Sequence, residues 1–462
     1  MEQILTFDME LIRRYDKAGP RYTSYPTAVQ FHDGFTPQDY RAVVEATHQE
    51  EPLRPLSLYF HIPFCDTVCF YCGCNKIATK ERKKSPPYLD RVTQELALQG
   101  ALFDRSRVVE QLHWGGGTPT FLNHDEIRRL MDATRQHFTL RDDDEGEYSI
   151  EIDPREATAE TIALLRELGF NRMSLGLQDF DPVVQKAVNR IQSEEETFAV
   201  LNAARDNGFK SVSVDLIYGL PHQSADSFQR TVDKVLAVRP DRLSVFNYAH
   251  LPEIFKPQRR INEDDLPSPD QKLEILQRTN QQLSEAGYLY IGMDHFALPD
   301  DELAVAQREG TLYRNFQGYS THRDCDLIGI GVTSIGVVGN TYSQNLKETE
   351  GYYAAIDAGE LPIFRGVALD QDDLLRRDII TELICNFRLR FSDIESRHSI
   401  NFSDYFAIEL EELKVMVKDG LVSMSDQEVV VATAGRLLIR NVCMVFDRYL
   451  REKNEQHFSK VI

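Results

Sequence analysis

The stretch 55-PLSLYFHIPFCDTVCFYCGCN-75 joins an apolar, strand-like run to a dense group of cysteines. Cys65, Cys69 and Cys72 have the spacing C-x3-C-x2-C, and Cys74 follows two residues later. Three thiolates on one loop can hold an iron–sulfur cube and leave its fourth iron without a protein ligand. An iron with an open position can bind a ligand and change it. This loop therefore predicts chemistry and not only structure.

Outward from this loop, the chain alternates between strand-like and helical patterns. The strand-like runs are 55–64, 109–117, 147–154, 171–178, 211–220 and 241–250, with a further strand predicted at 288–297. Helical patterns include 88–103, 124–138 and 194–208, and glycines at 169 and 208 are placed to end helices. Such alternation indicates right-handed βαβ units and a parallel sheet. Six units favour a (β/α)6 partial barrel of the TIM type over a doubly wound sheet, although periodicity alone does not decide between them.

Candidate site residues follow the ends of the predicted strands. The cysteines follow the first strand, GGGTPT (Gly115–Thr120) ends the second, and Glu151 and Gln178 end the third and fourth. In a barrel, the chemistry gathers at these carboxyl ends. Three consecutive glycines weaken a strand, so they predict close approach by another backbone or a ligand. Their spacing is not the dinucleotide fingerprint G-x-G-x-x-G.

Three segments are expected along the chain. Residues 1–54 form an N-terminal extension or lid, residues 55–360 form the barrel, and residues 361–462 form a small, mostly helical C-terminal domain. A helix at 404–420, a hairpin at 421–432 and a helix at 434–452, with Thr433 as its N-cap, suggest a winged-helix-like module. The module lacks a basic recognition helix, so we expect it to pack against the barrel and not to bind DNA.

Composition narrows the class of protein. A formal net charge of −21 argues against general nucleic-acid binding. No apolar stretch approaches the roughly 20 residues that cross a bilayer, and the N-terminal residues do not resemble a secretion signal. Seven clustered and scattered cysteines are unlike a disulfide framework, which predicts a reducing cytoplasm. The cysteine loop fits neither a structural zinc site, which normally uses two separate ligand pairs, nor a ferredoxin, which uses four cysteines per cluster.

Several motifs together resemble the oxygen-independent coproporphyrinogen III oxidase family of the radical S-adenosylmethionine (SAM) superfamily. The motifs are Y-x-H-I-P-F-C (59–65), C-G-C-N (72–75), H-W-G-G-G-T-P-T (113–120) and I-E-I-D-P-R-E (150–156). Further matches are 19-GPRYTSYPT-27, 218-YGLPHQ-223, 244-SVFNYAHLP-252, 291-IGMDHFA-297, 314-RNFQGY-319 and 435-GRLLIRN-441. The resemblance extends from about residue 10 to the C-terminus.

The resemblance implies a cofactor set and the residues that hold it. Cys65, Cys69 and Cys72 would bind one [4Fe–4S] cluster, whose open iron SAM would chelate, while Cys74 would not be a ligand. The family binds two SAM molecules. Tyr59, Gly116, Glu151 and Ile335 match the positions that hold the first. The positions that match the second are Tyr71, Gly117, Thr118, Gln178, Arg190, Asp215 and Ala249.

The implied reaction converts two propionates of coproporphyrinogen III into vinyl groups, giving protoporphyrinogen IX in heme biosynthesis through a 5′-deoxyadenosyl radical. No catalytic residue is expected beyond the cluster and cofactor. Candidate partners for the substrate carboxylates are Arg21, Arg155 and the group of Lys256, Arg259 and Arg260. We expect a monomer that is reduced by a small flavodoxin-like or ferredoxin-like protein. The alternatives are a related heme chaperone and a radical enzyme that modifies heme.

Overall fold

A computed structural model describes residues 5–50 and 52–452 of the 462-residue chain. The chain forms two compact units, each assembled from separate segments. The larger unit, here called the sheet unit, consists of Phe31–Ser268 and Asp324–Ala368. The smaller one, the helical unit, consists of Met1–Gln30, Pro269–Arg323 and Leu369–Ile462. The predicted segments 1–54, 55–360 and 361–462 are each continuous in sequence, and that division remains a prediction.

Six parallel strands form the centre of the sheet unit. They are β1 (Leu56–Ile62), β2 (Val108–Gly116), β3 (Glu147–Ile152), β4 (Arg172–Gln178), β5 (Ser211–Tyr218) and β6 (Arg242–Asn247). Consecutive strands are neighbours from β1 to β6, without the reversal of order that defines a doubly wound sheet. This order is that of a TIM-type barrel. The six predicted parallel strands and the partial barrel are therefore confirmed.

The two faces of this sheet differ in chemistry because side chains alternate along each strand. On one face, Ile150, Leu175 and Val214 are almost completely buried. On the other, positions such as Ser149, Ser174 and Ser213 are small, polar and only partly buried. The apolar face thus forms the core, and the small polar side chains leave room on the opposite face. The candidate site residues lie on this second face.

Helices of the sheet unit precede, connect or follow these six strands. They are Pro37–Thr47, Ser85–Gly100, His124–His137, Ala159–Glu167, Pro182–Ala187, Glu194–Asp206, Ala225–Val238 and Thr349–Asp357. Asn123 and Ser193 form capping boxes with Glu126 and Glu196, which satisfy backbone N–H groups at two helix starts. Gly169 and Gly208 have φ of +103° and +74°, as the predicted helix ends require.

The sheet continues on the far side of β1 into four strands that the sequence analysis did not identify. β7 (Asp326–Ile330) is parallel to β1, and β8 (Ile335–Val338), β9 (Thr341–Asn345) and β10 (Ile363–Ala368) continue antiparallel. Glu95 is buried beside this part of the sheet. Its carboxylate accepts hydrogen bonds from Tyr352 Oη (2.6 Å), Asn345 Nδ2 (2.6 Å) and Gly331 N (2.8 Å).

The helical unit contains short strands and several helices. Its helices include Met9–Tyr15, Pro269–Glu285, Glu302–Glu309, Gln371–Asn386, Phe391–His398, Phe402–Tyr405, Ala407–Lys418, Ile439–Val445 and Arg448–Glu452. Its strands are Leu289–Gly292, His295–Ala297, Tyr313–Asn315, Gly318–Ser320, Arg388–Arg390, Val422–Met424 and Glu428–Val431. The last three form one small sheet, which with the flanking helices agrees with the predicted winged-helix-like module.

Two predictions in this unit are wrong in detail. The strand predicted at 288–297 is a pair of antiparallel strands, because Met293 and Asp294 have positive φ and reverse the chain. The helix predicted from residue 434 begins at Ile439, so Thr433 is not its N-cap. A Cβ on Gly435 would overlap with the carbonyl oxygen of Leu421. Because the backbone packs this closely here, residues before Ile439 form turns.

Candidate active site

The cysteine loop leaves the carboxyl end of β1 and is closed at its base. Phe64–Cys65 pairs in parallel with Ile77–Ala78. The Ile77 N–H donates to Pro63 O at 2.6 Å, and the Thr79 N–H donates to Cys65 O at 2.8 Å. These bonds hold both ends of the loop together, so the cysteines are presented from one fixed point at the end of the strand.

Each of the three predicted cluster cysteines has a polar neighbour at its sulfur. Thr118 Oγ1 donates to Cys65 Sγ at 3.6 Å, Arg190 Nη1 to Cys69 Sγ at 3.6 Å, and the Cys74 N–H to Cys72 Sγ at 3.4 Å. A hydrogen bond from the Cys74 thiol lowers the pKa of Cys72, whereas burial raises the pKa of Cys65 to about 11. These contacts are of the kind that stabilises thiolates bound to metal.

The donor set fits an iron–sulfur cluster. All seven cysteines are free, and the three in the loop supply the soft sulfur ligands that iron–sulfur clusters require. Among the described residues, no three His, Cys, Asp or Glu side chains converge as they would around one metal ion. A four-iron cluster is larger than a single ion, so its three thiolates need not converge so closely.

The glycine strand lies directly against the start of the cysteine loop. The Gly117 N–H donates to Ile62 O at 2.8 Å, and the Thr118 N–H donates to Phe64 O at 2.7 Å. A Cβ on Gly117 would lie 2.6 Å from Phe64 O, and one on Gly116, which has φ of +110°, would lie 2.7 Å from His61. Part of the predicted close approach is therefore made by the chain's own backbone and by His61.

Carboxylates and an amide line the partly exposed face of the barrel. Glu151 accepts from the Gly116 N–H at 3.2 Å and lies 3.4 Å from His113 Nε2. Burial opposes ionisation of Glu151, but these contacts outweigh it and lower its pKa. Asp215, on β5, accepts from Ser174 Oγ at 2.9 Å, and burial raises its pKa to about 6. The two carboxylates thus titrate in different ranges.

Gln178 and Arg190 carry buried polar atoms that lack partners. The Oε1 of Gln178 and the Nε of Arg190 are buried and have no hydrogen-bond partner among the described residues. Gln178 has φ of +71°, and the register of β4 against β5 shifts beside it. Buried polar atoms are normally paired, and positive φ is rare outside glycine, so both features are typical of a ligand site.

An ion-pair group holds Arg190 in place. Asp153 accepts from Arg190 Nη1 at 3.0 Å and from Arg155 Nη2 at 2.6 Å. Arg190 also donates to the carbonyl oxygen of Gly176, and Arg155 Nη2 lies 3.8 Å from Cys69 Sγ. Asp153 therefore binds two guanidinium groups, and both of them also contact the thiol of Cys69.

The middle of the cysteine loop is fastened to distant parts of the same unit. The Gln258 side chain donates to Tyr71 O at 3.0 Å and to Ala249 O at 3.2 Å. The Phe70 N–H donates to Val188 O at 2.9 Å. Tyr71 itself packs on the buried cluster that contains Val184 and Leu220. Gln258 is 2% exposed, so its amide is held inside the unit where it joins the two carbonyls.

The structure brings most of the predicted site residues to one end of the barrel. Tyr59 Oη contacts His61 Nδ1 at 3.1 Å, and its ring stacks on His113. Ile335 is the first residue of β8. A Cβ on Gly329 of β7 would lie 2.9 Å from the backbone of Ile335, and Gly329 is the residue that pairs with Tyr59 of β1. Sequence reasoning missed Asp153, His61, His113 and Gln258; the first three lie inside quoted motifs, and Gln258 gave no signal.

The candidate substrate arginines have different surroundings. Arg155 is engaged by Asp153, as described above. Arg259 is exposed and donates to Pro252 O at 2.9 Å, and Arg260 is exposed and lies over the Phe70 ring. Arg21 belongs to the helical unit, where its Nη1 donates to Asp294 at 3.3 Å. Their contact with substrate remains a prediction.

Comparisons with known proteins agree with this geometry. A family model described as the radical SAM superfamily matches residues 59–235. Proteins named oxygen-independent coproporphyrinogen III oxidase are similar over the full length: 56% identity in Pseudomonas aeruginosa, covering 100% of both chains, and 53% in Escherichia coli, covering 100% of this chain and 99% of that protein. A solved structure described as coproporphyrinogen III oxidase from Escherichia coli, a radical SAM enzyme, has a TM-score of 0.92 at 52% identity. The match covers 96% of this chain and 100% of that one.

Proposed function

The chain belongs to the oxygen-independent coproporphyrinogen III oxidase family of the radical SAM superfamily, and from this we propose how its own residues carry out the reaction. It is an oxidoreductase that converts two propionate side chains of coproporphyrinogen III into vinyl groups, giving protoporphyrinogen IX in heme biosynthesis. The observation that carries this proposal is the arrangement of three thiols on one loop. The start of this loop is hydrogen-bonded to the glycine strand, and the site also contains the unpaired polar atoms of Gln178 and Arg190.

Removal of hydrogen from an unactivated propionate carbon lies beyond the reach of protein acids and bases. When bound, the iron–sulfur cluster and SAM supply the radical chemistry that breaks this C–H bond. The residues of the chain bind and orient these groups. Cys65, Cys69 and Cys72 hold the cluster, and Cys74 lowers the pKa of Cys72 without serving as a ligand.

We assign the SAM-binding groups to the polar face of the barrel. Glu151, kept ionised by His113 and the Gly116 N–H, binds the cationic amino group or the ribose hydroxyls of the first SAM, with Tyr59, Gly116 and Ile335 beside it. A second SAM would use the unpaired Gln178 Oε1 and Arg190 Nε, together with Asp215. Tyr71, Gly117, Thr118 and Ala249 would line this second position. Two unpaired polar atoms outside the first group support the second molecule.

The chain's partners are also part of the proposal. We expect reduction of the cluster by a small flavodoxin-like or ferredoxin-like protein, and function as a monomer. Seven free cysteines support a reducing, cytoplasmic environment. In the described part of the chain, no helix is long and apolar enough to cross a membrane.

Anaerobic reconstitution with iron and sulfide tests the proposal. The loaded protein is incubated with coproporphyrinogen III, SAM and a chemical reductant, and the products are analysed by mass spectrometry. Two successive losses of carboxyl groups are expected, with 5′-deoxyadenosine and methionine as coproducts. Cys69→Ala should lose both the cluster absorbance and the products, because it removes one of the three thiolates that would hold the cluster.

Other outcomes would overturn this function. Tight, stoichiometric heme binding without decarboxylation would identify a heme chaperone. Formation of S-adenosylhomocysteine would identify a methyltransferase. Equilibrium dialysis of labelled SAM tests the second SAM position separately: two molecules bound per wild-type chain and one per Gln178→Leu chain are expected, because the substitution removes the unpaired acceptor.

A further inference from the structure

The helical unit contains four arginines grouped around Asp294 and its neighbour Tyr290. Arg21 Nη1 donates to Asp294 Oδ2 at 3.3 Å, and Arg314 and Arg440 act electrostatically on the same carboxyl group. Arg314 and Arg436 both influence the phenol of Tyr290, which also senses Asp294. We call Arg21, Arg314, Arg436 and Arg440 the arginine group. Three of its guanidinium groups, those of Arg21, Arg314 and Arg440, act on the carboxylate of Asp294, and that of Arg436 acts on the phenol of Tyr290.

Two members of the arginine group have buried N–H groups without partners. Arg314 is 9% exposed, yet its Nε and Nη1 have no hydrogen-bond partner anywhere in residues 5–50 and 52–452. The Nε and Nη1 of Arg436 are buried in the same unpaired state within that described part. A buried charged donor without an acceptor is costly, so a structure keeps such groups where a ligand will pair with them.

Aromatic rings hold the two unpaired guanidinium groups in position. Arg314 lies 4.9 Å over the centre of the Tyr319 ring, and Arg436 lies 4.9 Å over that of Phe387. Tyr319 is itself fixed, because its Oη donates to Ile384 O at 2.9 Å. Stacking of this kind occupies the face of a guanidinium group and leaves its N–H edge free, which is the edge that binds a carboxylate.

The other two members of the group are fixed by the backbone. Arg440 Nε donates to Pro20 O at 2.8 Å, and its Nη2 donates to Gly19 O. These bonds hold the residues immediately before Arg21 and so keep Arg21 beside Asp294. Burial, reinforced by Arg21 and Arg314, lowers the pKa of Arg440 to about 10. Positive charge is therefore concentrated here beyond what Asp294 compensates.

We propose that the arginine group is a carboxylate-binding subsite for a propionate of the tetrapyrrole substrate, with Arg314 and Arg436 as its direct donors. The proposal rests on the proposed function, which supplies a substrate with four propionates. A carboxylate accepts two parallel hydrogen bonds from the planar edge of a guanidinium group. Its negative charge also balances the excess positive charge of the arginine group. Arg314 lies in the motif 314-RNFQGY-319, whose matching role the fold had not explained.

Binding of the stable oxidised porphyrin, coproporphyrin III, tests this subsite without needing the cluster or turnover. Wild type, Arg314→Met and Arg436→Met are titrated anaerobically by visible absorbance and fluorescence, and the tetramethyl ester of the same porphyrin is titrated in parallel. Loss of one buried charged hydrogen-bond partner should weaken binding of coproporphyrin III about 10- to 100-fold. The ester lacks carboxylates, so its affinity should be equal for wild type and variants.

Arg323→Met is the matched control. Arg323 belongs to the same unit, but its Nη1 already pairs with Glu382 Oε1 at 3.3 Å. Its affinity for coproporphyrin III should equal that of wild type. Thermal unfolding of all variants establishes that they are folded. Arg314→Lys keeps the positive charge but cannot form the bidentate hydrogen bonds of a guanidinium group, so it should recover part of the affinity. If Arg314→Met fails to fold, Arg436→Met and Arg314→Lys carry the test.

The outcomes separate this inference from the proposed function. Wild type that decarboxylates coproporphyrinogen III while folded Arg314→Met and Arg436→Met keep the wild-type affinity and KM overturns the inference alone. Wild type that binds coproporphyrin III through these arginines but does not decarboxylate coproporphyrinogen III overturns the proposed function alone. An equal loss of affinity for the tetramethyl ester also overturns the inference, because it would show that the arginines support the pocket and not a carboxylate.

Discussion

Gly117→Ala should damage the cysteine loop from the neighbouring strand. A Cβ at this position would lie 2.6 Å from Phe64 O, 2.8 Å from Pro63 C and 2.9 Å from Ile62 O. All three atoms belong to backbone and not to flexible side chains. Reaching an ordinary 3.4 Å contact requires a displacement of about 0.8 Å, and overpacking of this kind typically costs about 1–3 kcal/mol.

The displacement acts on the residues that lead into the cluster ligands. Phe64 precedes Cys65, and the bonds from Gly117 N to Ile62 O and from Thr118 N to Phe64 O hold the two segments together. A new methyl group must lengthen at least one of these bonds. Misplacement of reacting groups by about 1 Å can cost on the order of 100-fold in rate, so we expect a loss of that size in 5′-deoxyadenosine formation.

Gly351→Ala provides the matched control. Gly351 lies in the helix Thr349–Asp357, and a Cβ there would meet Leu346 at ordinary distances of 3.8 and 3.9 Å. This substitution should be neutral or stabilise the helix by up to about 1 kcal/mol. Iron content, thermal unfolding and the rate of 5′-deoxyadenosine formation are measured for both variants. Wild-type values of all three for Gly117→Ala would refute the steric argument.

Three further predictions concern other parts of the sheet unit. If Cys74 supports Cys72 through its N–H without being a ligand, as proposed, Cys74→Ala should keep its iron and cluster absorbance, unlike Cys69→Ala; iron analysis measures this. Gln258→Leu removes the buried donor shared by two carbonyls, so it should lower the free energy of unfolding by about 1–3 kcal/mol and raise the KM for SAM. Burial raises the pKa of Glu95 from 4.5 to about 7, against its hydrogen bonds. The folded chain therefore binds this proton more tightly than the unfolded chain, and the resulting stability, about 3 kcal/mol, is present below pH 4.5 and lost as pH rises through 7. Glu95→Gln should remove that slope in unfolding experiments between pH 4.5 and 8.

Each of these three has a result that contradicts it. Loss of iron from Cys74→Ala would make Cys74 a ligand. A Gln258→Leu variant as stable as wild type would show that the two carbonyls find other donors. Parallel stability curves for wild type and Glu95→Gln across the pH range would show that Glu95 has an ordinary pKa in the folded chain.

Much of the barrel and its site followed from local sequence signals. The six strands alternate or run apolar over lengths that suit strands, and Cys65, Cys69 and Cys72 share one loop, so no long-range information was needed. The turn at Met293–Asp294 was missed because positive φ at a non-glycine residue carries no reliable sequence signal. The late helix start at Ile439 depends on the contact of Gly435 with Leu421, which only the folded chain provides.

The supporting residues of the site were the hardest to predict. Gln258 binds Tyr71 O across 187 positions of the sequence, and glutamine in an irregular, proline-containing segment is ordinarily a solvated surface residue. Asp153 lies within the quoted motif I-E-I-D-P-R-E, but its role emerges only when Arg155 and Arg190 are brought together by separate βα units. Such pairings depend on tertiary contact and not on a local pattern.

The fastening of the cysteine loop has a consequence for how the metal is acquired. The Gln258 amide, the Phe70–Val188 bond and the pairing of Phe64–Cys65 with Ile77–Ala78 use no metal. We expect these contacts to keep the loop in shape before iron arrives, whereas a zinc finger folds only around its ion. We expect an already assembled cluster to be inserted into the folded protein. Iron starvation should then yield a stable, inactive chain that can be activated later by cluster insertion.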